Sequence, residues 1–212
     1  MTLTATVLTF TGNKCSTDSV GGTGPLVNCS PGSFINQTYV DSATVNVSYL
    51  AGGTAGLFAM QAWPSGFGNA TYSNLADAAY GFFGSNTIQI TFAPLGGGTV
   101  TLNSFNVGTF LGPRNFTAVV IDLATNTVVF SVTLNVANQV FPIAPLLSPG
   151  VSSAVGLRLA LINTDTFNVG LSNIDFNVAN APSGIPEPSS YAMLLLGAAA
   201  GIYRFGKLKK SS

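Results

Sequence analysis

The chain has no histidine and very little charge: seven Lys plus Arg and seven Asp plus Glu, 7% of its 212 residues, where soluble domains average about 25%. Without histidine, a Ser-His-Asp hydrolase lacks its base and a His-ligated zinc enzyme lacks its ligand. Seven cations provide no basic stripe to follow a phosphate backbone, so nucleic acid is not an expected partner. Disorder is excluded as well, because 47% of the residues are apolar and the formal net charge is zero, the reverse of the disordered composition.

Glutamate is almost absent. The one Glu, Glu187, lies near the C-terminus, so a glycosidase-like carboxylate pair would have to come from Asp18, Asp41, Asp77, Asp122, Asp165 and Asp175, none in a distinctive motif. Ser and Thr are plentiful, but Lys14 is the only amine near the N-terminal loop to activate one. Gly96-Gly97-Gly98 lacks the following Lys-Ser/Thr of a phosphate loop and reads as a turn. The Asn-x-Ser/Thr sites at Asn28, Asn36, Asn46, Asn69 and Asn115 are expected by chance in a chain this rich in Asn and Thr. No repeat of 20–50 residues appears. The reading is non-enzymatic, with an Asp-dependent hydrolase as the remote alternative.

The charges that exist are unevenly placed. Residues 1–184 hold Lys14, Arg114 and Arg158 with the six Asp. The last nine residues hold Arg204, Lys207, Lys209 and Lys210 and no acid. Between them runs the apolar stretch Tyr191 to Tyr203. An acidic body, an apolar stretch and a basic end form the pattern of a C-terminal membrane anchor with a cytoplasmic tail. Thirteen residues make about 20 Å of helix against a hydrocarbon core of about 30 Å, so Ser189 and Ser190 lengthen the span and Arg204 snorkels to the headgroups. A buried core helix is the alternative for so short a stretch, and the flanking basic cluster argues against it.

Ile185-Pro186-Glu187-Pro188-Ser189-Ser190, followed by Tyr191-Ala192-Met193-Leu194-Leu195-Leu196-Gly197 and the basic end, resembles a PEP-CTERM sorting signal. The resemblance covers about 28 residues, with all three parts in order; the tail is Lys-rich rather than Arg-rich and ends in Ser211-Ser212. It implies recognition by an exosortase, a membrane-embedded cysteine protease, with processing at or near Pro186-Glu187-Pro188. It also implies a transient stay in the inner membrane and delivery to the cell surface or exterior, in a host that is typically a Gram-negative bacterium producing exopolysaccharide. The motif makes physical sense: the prolines stop a helix from extending upstream, Glu187 resists entry into lipid, and Ala179 to Gly184 is small and flexible. The expected organisation is a β domain over 1–180, a linker over 181–190, a transmembrane helix over 191–203 and a basic tail over 204–212. An exported chain needs an N-terminal signal, which Met1 to Thr6 does not resemble. The sequence is therefore expected to begin near the mature start, or from a misplaced gene start.

Two cysteines without histidine are too few for zinc. Cys15 and Cys29, 14 apart in a Gly/Ser/Thr-rich loop, are expected to pair, limiting loop entropy by roughly 3 kcal/mol in the chain-entropy model.

The body reads as strands throughout. Val128, Phe130, Val132, Leu134 and Val136 alternate with Ser131, Thr133 and Asn135 to form one apolar face. Similar period-two sets are Val45, Val47 and Tyr49; Ile88, Ile90 and Phe92; Val155, Leu157, Leu159 and Leu161; and Ile174, Phe176 and Val178. Segments 3–10, 99–110 and 115–122 complete eight or more strands, and only 74–80 reads as a short helical turn. Gly96 to Gly98, Ala124-Thr125-Asn126 and Asn163-Thr164-Asp165 are hairpin-like turns, while Pro142, Pro145 and Pro149 mark a longer crossing. The expected fold is an all-β, antiparallel, jelly-roll-like sandwich, of which the galactose-binding-like kind is one form.

Segment 57–83 is the candidate for function, with Phe58, Trp63, Phe67, Tyr72, Tyr80, Phe82 and Phe83. Aromatic rings stack on the C–H faces of sugars while Asn and Asp bond the hydroxyls, which singles out Trp63, Phe67, Asn69, Tyr72 and Asp77, with Asn74 nearby. The plainer reading is that these rings plug one end of the sandwich. Calcium is a weaker expectation: Asp41, Asp165 and Asp175 fall near strand ends, but no Asp-x-Asp-x-Asp loop occurs, and Asp122 fits an Asx turn. The function expected is an exported matrix or surface protein with a structural or adhesive role beside exopolysaccharide in a biofilm. The alternative is a specific carbohydrate-binding module.

Overall fold

The computed structural model describes residues 3–18, 21–53, 56–64, 72–73, 75–110, 113–136, 146–162 and 164–180. Every regular element among them is a strand: β1 (Leu3–Leu8), β2 (Asn13–Ser16), β3 (Leu26–Asn28), β4 (Ser33–Phe34), β5 (Val45–Gly53), β6 (Gly56–Ala59), β7 (Gln61–Trp63) and β8 (Ala78–Tyr80). The second half contributes β9 (Ser85–Pro94), β10 (Thr99–Thr109), β11 (Arg114–Asp122), β12 (Thr127–Val136), β13 (Leu146–Leu147), β14 (Val151–Ser153), β15 (Leu157–Ile162) and β16 (Val169–Ala179). Residues 181–212, which hold the expected linker, sorting motif, transmembrane helix and basic tail, lie outside the described residues. No helix among the described residues is long and apolar enough to cross a membrane.

The strands form two antiparallel sheets and a small hairpin. One sheet has eight strands in the order β13-β10-β16-β8-β7-β4, with β1 also on β16 and β14 also on β10. The other has six in the order β12-β11-β15-β9-β5-β6, and β2 pairs with β3 separately. Alternation along the strands points Val45, Val47 and Tyr49, Ile88, Ile90 and Phe92, and Leu157, Leu159 and Leu161 of the six-stranded sheet inward. Val100, Leu102, Ile174, Phe176 and Val178 of the eight-stranded sheet join them in one core. Phe92 and Phe176 meet across the sandwich with ring centroids 4.9 Å apart. At 1.5–3 kcal/mol per fully buried large apolar side chain, such a core is the dominant favourable term.

Two bulges change phase within the longest ladder. On β10 the inward set passes from Val100 and Leu102 to Phe105 and Val107, and on β16 from Val169 and Leu171 to Ile174 and Phe176. The ladder slips between Leu102 and Ser104 on one side and is restored between Ser104 and Asn106. Asn173 takes up the slip on β16 with φ 48°, a left-handed conformation that Asn tolerates better than most residues.

A third bulge corrects the alternation read from sequence in β12. Val120 pairs with Phe130 but Ile121 pairs with Val128, so Val129 is the extra residue. Residues before it are flipped to the opposite face, and Val128 is 56% exposed rather than inward. Val155 is likewise exposed: β15 begins only at Leu157, because Gly156 turns the chain with φ +146° beneath the Phe92 carbonyl. Segment 75–80 contains no helical turn. Ala78–Tyr80 is a strand between β7 and β16, buried at all three positions, so it carries no alternation from which to read it.

The Cys15–Cys29 disulfide is formed, with Cα atoms 5.0 Å apart, and both residues belong to the core. Nearby, Tyr39 stacks on Tyr49 at 5.7 Å while Phe10 meets both edge-on. Tyr39 Oη donates to the Thr9 carbonyl at 2.7 Å and Tyr49 Oη to the Tyr39 carbonyl at 3.0 Å. Burial holds the Tyr49 hydroxyl well above the ordinary phenol range. Lys14 lies over the Tyr39 ring and donates to the Thr9 carbonyl and hydroxyl, so this amine is committed to closing the loop.

Candidate functional site

A second aromatic cluster, separate from the sandwich core, lies on the outer face of the eight-stranded sheet. Its seat is a pair of glycines. Gly108 of β10 lies opposite Gly170 of β16, and both point away from the core because their neighbours Val107, Val169 and Leu171 point into it. A Cβ at Gly108 would come within 2.3 Å of the Tyr72 carbonyl oxygen, and one at Gly170 within 3.0 Å of the Tyr72 ring. Only bare backbone at both positions lets the Tyr72 segment lie flat on the sheet.

Local hydrogen bonds lock that segment down. The Ser73 amide donates to the Thr109 carbonyl at 2.9 Å and the Thr109 amide donates to Ser73 Oγ at 3.0 Å. Tyr72 Oη donates to the Phe167 carbonyl at 2.7 Å. Phe167 sits in a pinned turn: Thr166 exchanges backbone bonds with Gly81 and Ser85 and shares a short hydroxyl contact with Ser85. Asp165 caps the turn, accepting from the Phe167 amide at 3.2 Å and from Asn168 Nδ2 at 2.6 Å.

The rings form a continuous path from buried to exposed. Trp63 lies 5.6 Å from Phe110, 6.3 Å from Tyr72 and 6.4 Å from Tyr80. Tyr72 and Tyr80 are 5.2 Å apart, Tyr80 meets Phe167 at 5.9 Å, and Phe167 meets Phe83 at 5.9 Å. Tyr72 and Tyr80 are buried, Trp63, Phe110 and Phe167 half-buried, and Phe83 is 87% exposed. Desolvation dominates the tyrosine chemistry. It holds the Tyr72 hydroxyl far above the ordinary phenol range, aided by Tyr80 and Asp165, and pushes Tyr80 up to about 12 against a lowering bond from the Gly32 backbone. Both phenols are therefore neutral hydrogen-bonding groups at physiological pH.

The residues singled out from sequence divide. Trp63 and Tyr72 are brought together in the cluster. Asp77 is buried instead, accepting from Thr11 Oγ1 at 3.1 Å and Ser172 Oγ at 2.7 Å, so its two oxygens tie the N-terminal segment to β16. Phe67, Asn69 and Asn74 lie outside the described residues. Phe58 and Phe82 pair with each other at 4.9 Å, with Phe82 against the main core. Phe110 and Phe167 were not legible as members, because each is far in sequence from 57–83; the shared signal is a Phe directly after Thr109 and Thr166.

Three other aspartates are held by local turns or neighbouring strands. Asp41 accepts from the Val47 amide and Asp175 from Asn103. Asp122 accepts from Ser153, the Ala124 amide and Thr125, which together lower its pKa. No group of three His, Cys, Asp or Glu with metal-holding geometry occurs among the described residues.

No family model matches the chain, and no curated protein matches it in sequence. Several solved structures show weak structural likeness, two of them as follows. TmCBM61 in complex with beta-1,4-galactotriose shares 10% identity over 64% of this chain and 83% of that one, with a TM-score of 0.27. The enzymatically active domain of bacteriophage CBA120 tailspike protein 4 shares 12% identity over 72% of this chain, with a TM-score of 0.31. The chain spans only 22% of the tailspike structure's length. The chain is a disulfide-bonded antiparallel β-sandwich carrying an aromatic cluster on one outer face.

Proposed function

We propose that this chain is an exported, non-catalytic structural or adhesive protein that contacts polysaccharide through the aromatic face bounded by Trp63, Phe110, Phe167 and Phe83. The observation that carries the reading is the graded exposure of that cluster. A ring path anchored on Gly108 and Gly170 and ending at an exposed Phe83 supplies the flat apolar faces on which sugar rings stack. Hydroxyl ladders such as Thr117–Thr133 and Thr101–Ser152 give the sheet surfaces a neutral, hydrogen-bonding character suited to a hydrated matrix. The repeated crossing of the chain between its two sheets fits a jelly-roll-like arrangement.

Delivery rests on Pro186-Glu187-Pro188, the apolar stretch after it and the basic tail, read as an exosortase substrate; the disulfide is consistent with an oxidising destination. The test is binding to a glycan panel and to the host's exopolysaccharide, comparing the native protein with Phe83→Ala and Phe110→Ala. Saturable binding weakened in both variants, with unchanged thermal stability in Phe83→Ala, is the expected result. No binding to any glycan would remove the adhesive reading. An uncleaved full-length chain in the host's outer fractions would remove the sorting reading independently.

A further inference from the structure

We infer that β12 is a docking edge for a second copy of this chain, the two copies joining their six-stranded sheets by antiparallel pairing of residues 130–136 about a two-fold axis at Thr133. Among the described residues, β12 ends its sheet and pairs with β11 alone. It is ten residues long, Thr-Val-Val-Phe-Ser-Val-Thr-Leu-Asn-Val, with no charge, proline or glycine. The opposite edge of the same sheet, β6, has four residues, and the one-partner strands of the other sheet are β4 and β13 with two residues each, β14 with three and β1 with six. Natural edge strands are kept from pairing by lysine, proline, brevity or a bulge. β12 has only the bulge at Val129, which leaves 130–136 in regular register and rich in residues of high β-propensity.

Two features specify a copy of itself as the occupant. With Thr133 opposite Thr133, Phe130 faces Val136, Ser131 faces Asn135 and Val132 faces Leu134. The exposed polar set Ser131, Thr133 and Asn135 thus meets its own kind, as do the half-buried Phe130, Val132 and Leu134, so both faces of the joined sheet stay consistent. The second feature is charge. β11 carries one charge at each end, Arg114 opposite Val136 and Asp122 opposite Thr127. Antiparallel pairing sets the Arg114 end of each copy beside the Asp122 end of the other, whereas parallel pairing sets like beside like. With β12 of both copies between them, these charges are three strand spacings of about 4.8 Å apart, so they bias orientation at low ionic strength and are largely screened at physiological salt. Residues 1–184 hold three basic groups against six Asp, a small negative charge whose repulsion between copies is largely screened at physiological salt.

The experiment is sedimentation of the full chain in mild detergent at physiological salt, across a wide concentration range. The native protein is expected to show a concentration-dependent dimer. Thr133→Lys and Thr133→Glu each place like charges on the axis and are expected to weaken it by about tenfold or more, while an equimolar mixture of the two restores it. A native protein that stays monomeric, single variants that dimerise as the native protein does, or a mixture that stays monomeric would each overturn the inference. Thr133→Cys provides a second measurement should the charged variants fold poorly. It is expected to cross-link between copies under mild oxidation where Asn126→Cys, in the turn before β12, does not. Equal cross-linking of the two, or none at Thr133→Cys, would also overturn it.

Discussion

Gly108→Ala is the sharpest perturbation of the aromatic face. The added Cβ would lie 2.3 Å from the Tyr72 carbonyl oxygen and 2.8 Å from its carbonyl carbon, so backbone rather than a flexible side-chain tip must move. Such overpacking costs about 1–3 kcal/mol, which in a domain of this size lowers Tm by about 2–4 °C per kcal/mol. The displacement lifts Tyr72 off the sheet and strains the paired bonds between Ser73 and Thr109. Trp63, the one tryptophan of the chain, packs on Tyr72 at 6.3 Å and reports the event directly. The assay is thermal unfolding together with Trp emission, where a lower Tm and a red-shifted maximum are expected. Alanine at position 108 with native Tm and native emission would refute the claim that the glycine pair seats this cluster.

Three further outcomes follow from the same reasoning. Cys15→Ser with Cys29→Ser should cost roughly 3 kcal/mol in the chain-entropy model, read by denaturant unfolding beside the oxidised native protein; an unchanged midpoint would mean the hairpin is held by packing alone. Tyr80 has its folded pKa raised to about 12, so the neutral phenol is the form the fold favours. Its contribution is complete below the ordinary phenol pKa of about 10 and is lost as pH climbs from there through about 12, which tyrosinate absorbance recorded alongside unfolding would reveal. Val128→Ser should change stability by no more than about 0.5 kcal/mol, whereas Phe130→Ser should cost about 1–2 kcal/mol from its half-buried ring; equal costs would contradict the bulge at Val129.

Much of the framework was legible because a half-buried strand writes its burial into its sequence. Ile88, Ile90 and Phe92, or Ile174, Phe176 and Val178, declare both the strand and its inner face through period two. Cys15 and Cys29, alone in the chain, left one pairing to expect. The same logic failed where the backbone broke the period or where there was no period to read. Val128 sits beyond a bulge, Val155 before a glycine turn, and Ala78–Tyr80 in a strand buried on both sides.

For the aromatic face, sequence pointed to Trp63 and Tyr72 through local density of rings, since nearby residues are the ones composition can group. Phe110 and Phe167 joined them only through the sheet, which pairs Gly108 with Gly170 across more than sixty residues of chain. Asp77 shows the converse: a carboxylate beside the aromatic run, yet turned by the fold onto Thr11 and Ser172. Composition by itself settled what the described domain is made to bury and how little charge it shows to solvent. Which side chains share a surface depended on strand order and register, because contacts between distant segments are set by pairing geometry that no single segment encodes.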